Sequence, residues 1–252
     1  MLRLETHGQV AVITLDRPPA NAQSRSFFVE LNGLFTWVAE PDVRAVVLTG
    51  AGRFFSAGID LFEIVTYDDT EFLEFAAAFD AAFFELFALP KPLIAAINGH
   101  AIAGGAVLAA TADFRLMAEG DGRVGLTEIQ VGVAFPASAL EPVRFSCAGP
   151  DLHELLYRGL TYSPHDAKDR RLVDEVVPEA ELMSRALALA TELAERSPTA
   201  FAAMKRALRA ESLNRIKAAH ATGIDPMWKT WRTPETTAAI EAYRKRSVRR
   251  RS

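Results

Sequence analysis

The chain has 252 residues, of which 50% are hydrophobic and 24% charged, with a formal net charge of −4. That composition suits one large domain, or one domain with a helical appendage, and excludes a disordered or low-complexity chain. A single cysteine, Cys147, excludes an intramolecular disulfide framework and reads as a small core residue in a reducing compartment.

The first elements are two short strands, at about 2–6 and 9–15, followed by the breaker Arg17-Pro18-Pro19 and a serine-capped helix from about Ser24 to Glu40. Val43 to Thr49 reads as a buried strand. Asp68 and Asp69 then open a helix in which Phe72, Phe75, Phe79, Phe83 and Phe87 recur at three- and four-residue spacing. One such face either packs a core or lines an apolar pocket, and the spacing fits both. Pro90 and Pro92 end the helix, and Leu93 to Asn98 reads as another buried strand. Ala103-Gly104-Gly105 starts a small-residue helix that continues to Ala112. Phe114 to Met117 and Val173 to Val177 read as strands. Helices are expected near 151–158, 164–170, 179–195, 198–220 and 234–245, so the last third is almost wholly helical.

No apolar run approaches the roughly 18 residues that span a bilayer, and no signal peptide is evident, so a cytoplasmic protein without a membrane partner is expected. Arg244 to Ser252 hold six basic side chains, which leaves the rest of the chain near −10. Without a basic face and a reading element this is a solvated tail, and no nucleic-acid partner is expected.

Several familiar motifs fail at a residue that their chemistry requires. Gly50-Ala51-Gly52 follows a strand, but Phe55 stands where a dinucleotide-binding turn needs its third glycine. His153-Glu154-Leu155-Leu156-Tyr157 places tyrosine where a zinc protease has its second histidine. The remaining histidines are scattered and no serine sits in a G-x-S-x-G elbow, so no metal site or nucleophilic serine is expected.

Three segments remain: Phe55-Ser56-Ala57-Gly58-Ile59-Asp60-Leu61, Ala96 to Gly105, and Val124-Gly125-Leu126-Thr127-Glu128-Ile129-Gln130-Val131-Gly132. With Arg17-Pro18, Asn21-Ala22, Val46 to Gly50, Lys91-Pro92 and Asp113, the chain resembles the enoyl-CoA hydratase/isomerase (crotonase) family over roughly residues 8–178. The resemblance implies an α/β fold, a spiral of ββα units forming two packed sheets. Residues 1–195 would form the acyl-CoA-binding core, and 196–252 a helical region that assembles homotrimers or dimers of trimers. It also implies that an acyl-CoA thioester of fatty-acid or related metabolism is the partner, with no cofactor beyond the CoA of the substrate.

By the same resemblance the backbone N–H groups of Ile59 and Gly104 form an oxyanion hole, and Ala22, Ala57, Gly58, Ile59, Asp60, Leu61, Gly104, Val107 and Thr127 contact substrate. Preorganised N–H donors suit an enolate oxygen, and losing one typically costs about 10²–10³ in rate. Asp60 also reads as a loop anchor or helix cap, and Gly104-Gly105 as a close-packing device. Hydratases of this family resemble one another in carrying two glutamates. Here the first falls on Val107, expected to face Glu128 across the reacting carbons, so Glu128 is left as the acid/base. Gly125-Leu126-Thr127-Glu128 and Pro136, eight residues beyond the glutamate, resemble the Δ3,Δ2-enoyl-CoA isomerase branch. Arg171 stands where the family often has glycine before Leu172-Val173. Hydratase activity, another crotonase reaction and non-catalytic acyl-CoA binding are the alternatives.

Overall fold

The computed structural model describes residues 1–147, 149, 152–221 and 223–249. Asp151, in the expected 151–158 helix, and the end of the basic tail at 250–252 lie outside them. Strands β1 (Leu2–His7) and β2 (Val10–Leu15) form an antiparallel hairpin. The chain then crosses through α1 (Arg25–Gly33) and α2 (Phe35–Ala39) to β3 (Ala45–Gly50). Ser24 Oγ accepts the Phe27 N–H as the expected cap, but the helix expected to reach Glu40 breaks at Leu34.

Next come β4 (Phe54–Ser56), α3 (Leu61–Ile64), α4 (Asp69–Ala88), β5 (Leu93–Ile97), β6 (His100–Ile102) and α5 (Gly104–Ala110). The chain continues through β7 (Phe114–Ala118), β8 (Val124–Gly125), α6 (Ala137–Ser146), α7 (Leu152–Arg158), α8 (Pro164–Asp169) and β9 (Glu175–Val177). It ends in α9 (Leu182–Ala194), α10 (Pro198–Ala219) and α11 (Pro234–Arg249).

Six strands form one sheet in the order β1-β2-β3-β5-β7-β9, parallel from β2 onward, and β4-β6-β8 form a second. Each turn of the chain thus sends one strand to each sheet and then a connection across: β3 to β4, β5 to β6, β7 to β8. This is the ββα spiral that the resemblance implies.

The uninterrupted apolar runs follow from burial of the large sheet on both faces. Ile13, Leu15, Val46, Leu48, Ala95 and Ile97 face the principal core. Their alternates, among them Val10, Val12, Val47 and Ile94, face α9, whose Leu182, Ala186, Ala190 and Ala194 recur every four residues. Alanines on that stripe let the helix lie close to the sheet.

The five phenylalanines of the expected face, Phe72, Phe75, Phe79, Phe83 and Phe87, are all buried on α4. Phe72, Phe75 and Phe79 pack edge-on against Trp228, at ring centroids 5.9, 5.8 and 5.1 Å apart. Trp228 lies in a 3-10 turn, Pro226–Arg232, so the C-terminal region is anchored inside the principal core. Cys147 is buried, which pushes its thiol up from the ordinary range. Among the described residues no helix is long and apolar enough to cross a membrane.

Candidate active site

The loop after β4 is held by local hydrogen bonds that fix its backbone. Ser56 Oγ donates to Asn21 O (2.8 Å) and accepts the Gly58 N–H (3.1 Å). Asn21, at φ 51°, donates its side-chain amide to the carbonyls of Ala51, Phe54 and Phe55, which accounts for the Asn21-Ala22 pair after the Arg17-Pro18 breaker. Gly58 sits at φ +81°, and a Cβ there would lie 2.7 Å from Ile102 O and 2.8 Å from Gly104 N. Only glycine lets the loop abut the start of α5.

Gln23 bridges Ile59 in parallel: the Gln23 N–H donates to Gly58 O (2.8 Å) and the Asp60 N–H donates to Gln23 O (2.9 Å). Successive N–H groups of an extended segment alternate sides, so the Ile59 N–H faces away from Gln23. It has no intramolecular acceptor among the described residues.

The Gly104 N–H is free for a different reason: it is the first residue of α5, before any helical acceptor exists. The turn into α5 is made by Ala103 at φ 50°, ψ −123°, a backbone conformation that costs about 1–3 kcal/mol for a residue with a side chain. It is held by Ala103 N–H donating to Gly125 O (2.8 Å) and by Val107 N–H donating to Ala103 O (3.0 Å). A Cβ on Gly105 would fall 2.1 Å from Ser56 O, so that glycine is required for packing, and one on Gly104 would meet Gln23 Oε1 at 2.6 Å.

These segments wall a cavity of about 390 Å³. Ala22, Ala57, Ile59, Asp60, Leu61, Gly104, Thr127 and Glu128 lie on its lining. Gly58 and Val107, expected to touch substrate, are set back from it. Gly58 is pressed against Ile102 and Gly104, and Val107, 1% exposed, turns its side chain into the principal core. Asp60 caps α3, accepting from the Phe62 and Glu63 N–H groups, and pairs with Arg17 at 2.8 Å. That is the anchoring role which its sequence position allowed.

Glu128 opens a 3-10 turn, Glu128–Val131, directly after β8. It is 7% exposed, Oε2 has no hydrogen-bond partner, and burial pushes its pKa up to about 8. Of the two carboxylates on the lining, Asp60 is committed to a cap and an ion pair, and Glu128 is the one free to exchange a proton.

Trp231 and Tyr243 complete the lining from the C-terminal helical region, the part expected to assemble subunits. Trp231 donates its indole N–H to Ala134 O (2.9 Å) and packs at a tilt against Trp228, ring centroids 5.0 Å apart. Arg244 of α11 lies 5.2 Å over the Phe62 ring of α3, and Thr236 of α11 donates to Gly132 O at the end of the Glu128 turn (2.9 Å), so α11 packs against both. The only sequence signal for these residues was aromatic character more than 100 positions downstream of Glu128. Arg171, at the position where the family often has glycine, adopts φ 60°, the left-handed backbone that a glycine would take at no cost.

The lining joins two unpaired N–H donors to one protonatable carboxyl, an arrangement suited to forming and reprotonating an enolate. The enoyl-CoA hydratase/isomerase family pattern matches residues 5–247, and the chain belongs to that family. Carnitinyl-CoA dehydratase of Salmonella enteritidis PT4 is 34% identical over 213 residues, 84% of this chain and 81% of the relative. Human mitochondrial delta3-delta2-enoyl-CoA isomerase superposes with a TM-score of 0.93 at 25% identity, over 100% of this chain and 99% of that one. A probable enoyl-CoA hydratase from Mycobacterium tuberculosis H37Rv gives a TM-score of 0.81 at 28% identity, over 86% of this chain and 92% of its own. The protein is thus a crotonase-fold enzyme, and its similar proteins include both dehydratase and isomerase.

Proposed function

We propose that the protein is a Δ3,Δ2-enoyl-CoA isomerase. The observation that carries this reading is the single uncommitted carboxyl on the lining, Glu128, with Val107 buried in the core at the position where hydratases carry a second glutamate. The thioester oxygen accepts from the Ile59 and Gly104 N–H groups. Ionised Glu128 takes a proton from C2 of a 3-enoyl-CoA, and the electron pair delocalises to give a dienolate with its charge on that oxygen. Glu128 returns the proton to C4, and the double bond now lies between C2 and C3. A carboxyl with a pKa near 8 suits both halves of this exchange, since it is a stronger base than an ordinary glutamate and still an adequate acid.

Residues 1–195 supply Glu128, Ile59 and Gly104. Residues 196–252 close the cavity with Trp231 and Tyr243 and carry exposed Met204 and Leu208 on α10, an apolar stripe fitting the expected homotrimer or dimer of trimers.

A hydratase-type reaction is the second reading, favoured by the 34% identity to carnitinyl-CoA dehydratase. It requires a water activated by Glu128 alone. Separate incubation with 3-enoyl-CoA and 2-enoyl-CoA decides between them. The first reading expects conjugated 2-enoyl-CoA from the former and turnover of the latter at least about 100-fold slower, since a missing general acid or base costs about 10²–10⁴. Efficient formation of 3-hydroxyacyl-CoA from the latter supports the second. Stoichiometric binding of both esters without product leaves only an acyl-CoA-binding role.

A further inference from the structure

We infer that Gln23 is a positioning residue that sets the two oxyanion donors relative to one another; this rests on the oxyanion reading of Ile59 and Gly104 given above. Gln23 is 0% exposed and lies behind the cavity lining, so it acts through its neighbours and not on substrate. Its backbone holds one donor. The paired bonds to Gly58 O and from the Asp60 N–H clamp the loop on both sides of Ile59 and dictate which way the Ile59 N–H faces. Its side chain holds the other. Gln23 Nε2 donates to Gly104 O (3.1 Å) and to Ser56 Oγ (3.3 Å), the hydroxyl that also fixes Gly58.

The amide orientation is settled by its partners, because Gly104 O only accepts and must face the NH₂ group. Gln23 Oε1 is thereby left buried without a hydrogen-bond partner, which is destabilising, and rests against Gly104, where an added Cβ would meet it at 2.6 Å. An apolar side chain of the same length would avoid that cost. What it would lose is the one side-chain link, among the described residues, between Gly104 and the Ser56–Leu61 loop. The two donors come from segments 45 positions apart in the chain, Ile59 and Gly104; they follow the paired strands β4 and β6, whose register ends at Ser56 and Ala101, short of both donors. A shift of about 1 Å in such a pair is enough to cost about 100-fold in rate.

The test uses Gln23→Met, which keeps length and removes the amide, and Gln23→Asn, which keeps the amide but draws it back from Gly104. Carbonyl polarisation is read from the absorption of bound 2,4-dienoyl-CoA, which moves to longer wavelength when strong donors engage the thioester oxygen. Turnover is measured beside it. Both variants are expected to lose most of the red shift and to lower kcat about 10- to 100-fold, with KM changed less than about threefold. A purely structural role would lower thermal stability and leave the red shift of the folded fraction intact. Retention of the red shift and kcat in either folded variant overturns the inference while leaving the oxyanion reading in place. Absence of any red shift in the unaltered protein overturns both.

Discussion

At the scale of single residues, Glu128 couples activity and stability in opposite directions. Burial raises its pKa to about 8, so the folded chain holds this proton more tightly than the unfolded chain, where the ordinary value is 4.5. The stability it contributes is fully present below pH 4.5 and is lost as pH rises through about 8, a change of up to about 4–5 kcal/mol. Activity runs the other way: kcat/KM for 3-enoyl-CoA should climb through pH 8 as the base ionises. Glu128→Gln keeps the shape and cannot accept a proton, so isomerisation should fall by at least about 10²-fold. The same variant should lack most of the fall in stability between pH 5 and 9. Denaturant melts of the two proteins across that range that stay parallel, or a variant that keeps its activity, would show that Glu128 is not the buried base.

At the scale of elements, the cavity is made where short, irregular pieces meet: the loop after β4, the strained entry to α5, and the 3-10 turns at Glu128 and Trp231. Trp231 lines the cavity, pinned by its bond to Ala134 O and by its tilted contact with Trp228, which in turn rests on three phenylalanines of α4. The expected five-phenylalanine face therefore shapes the cavity at one remove, by backing its wall. Trp231→Ala should widen the cavity there. The ratio of kcat/KM for long over short 3-enoyl-CoA chains should rise, with stability lower by about 3–5 kcal/mol. An unchanged ratio in a folded variant would place the acyl chain elsewhere.

At the scale of the whole molecule, the C-terminal helices are joined to the spiral by a buried charge cluster. Asp113, which follows α5, pairs with Lys205 at 2.7 Å and with Arg209 at 2.8 Å, both on α10. Arg209 also donates to the carbonyls of Phe87, Thr111 and Ala112, and Lys205, desolvated, has its pKa lowered to about 8. Asp113→Ala leaves two buried cations without their anion. A loss of about 3–5 kcal/mol is expected, roughly 10 °C in Tm for a chain of this size. A Tm within about 2 °C of the unaltered protein would mean that α10 is held by its apolar contacts alone.

Much of this protein was determined by local sequence. Val43 to Thr49 and Leu93 to Asn98 announce buried strands because both of their faces are covered, and Ser24 and Asp68 mark helix starts because their oxygens satisfy free N–H groups. The glycine-rich pieces around Ile59, Gly104 and Glu128 were legible as a set through their resemblance to one family. Strands β4, β6 and β8 were not, since two or three residues carry no period, and neither was the break at Leu34. Tertiary structure alone decided that Val107 lies behind the wall, that Trp231 and Tyr243 belong to it, and that Gln23 bonds to both Ser56 and Gly104. Each of these depends on which distant segments meet, and a side chain's neighbours across the fold leave no trace in the spacing of residues along the chain.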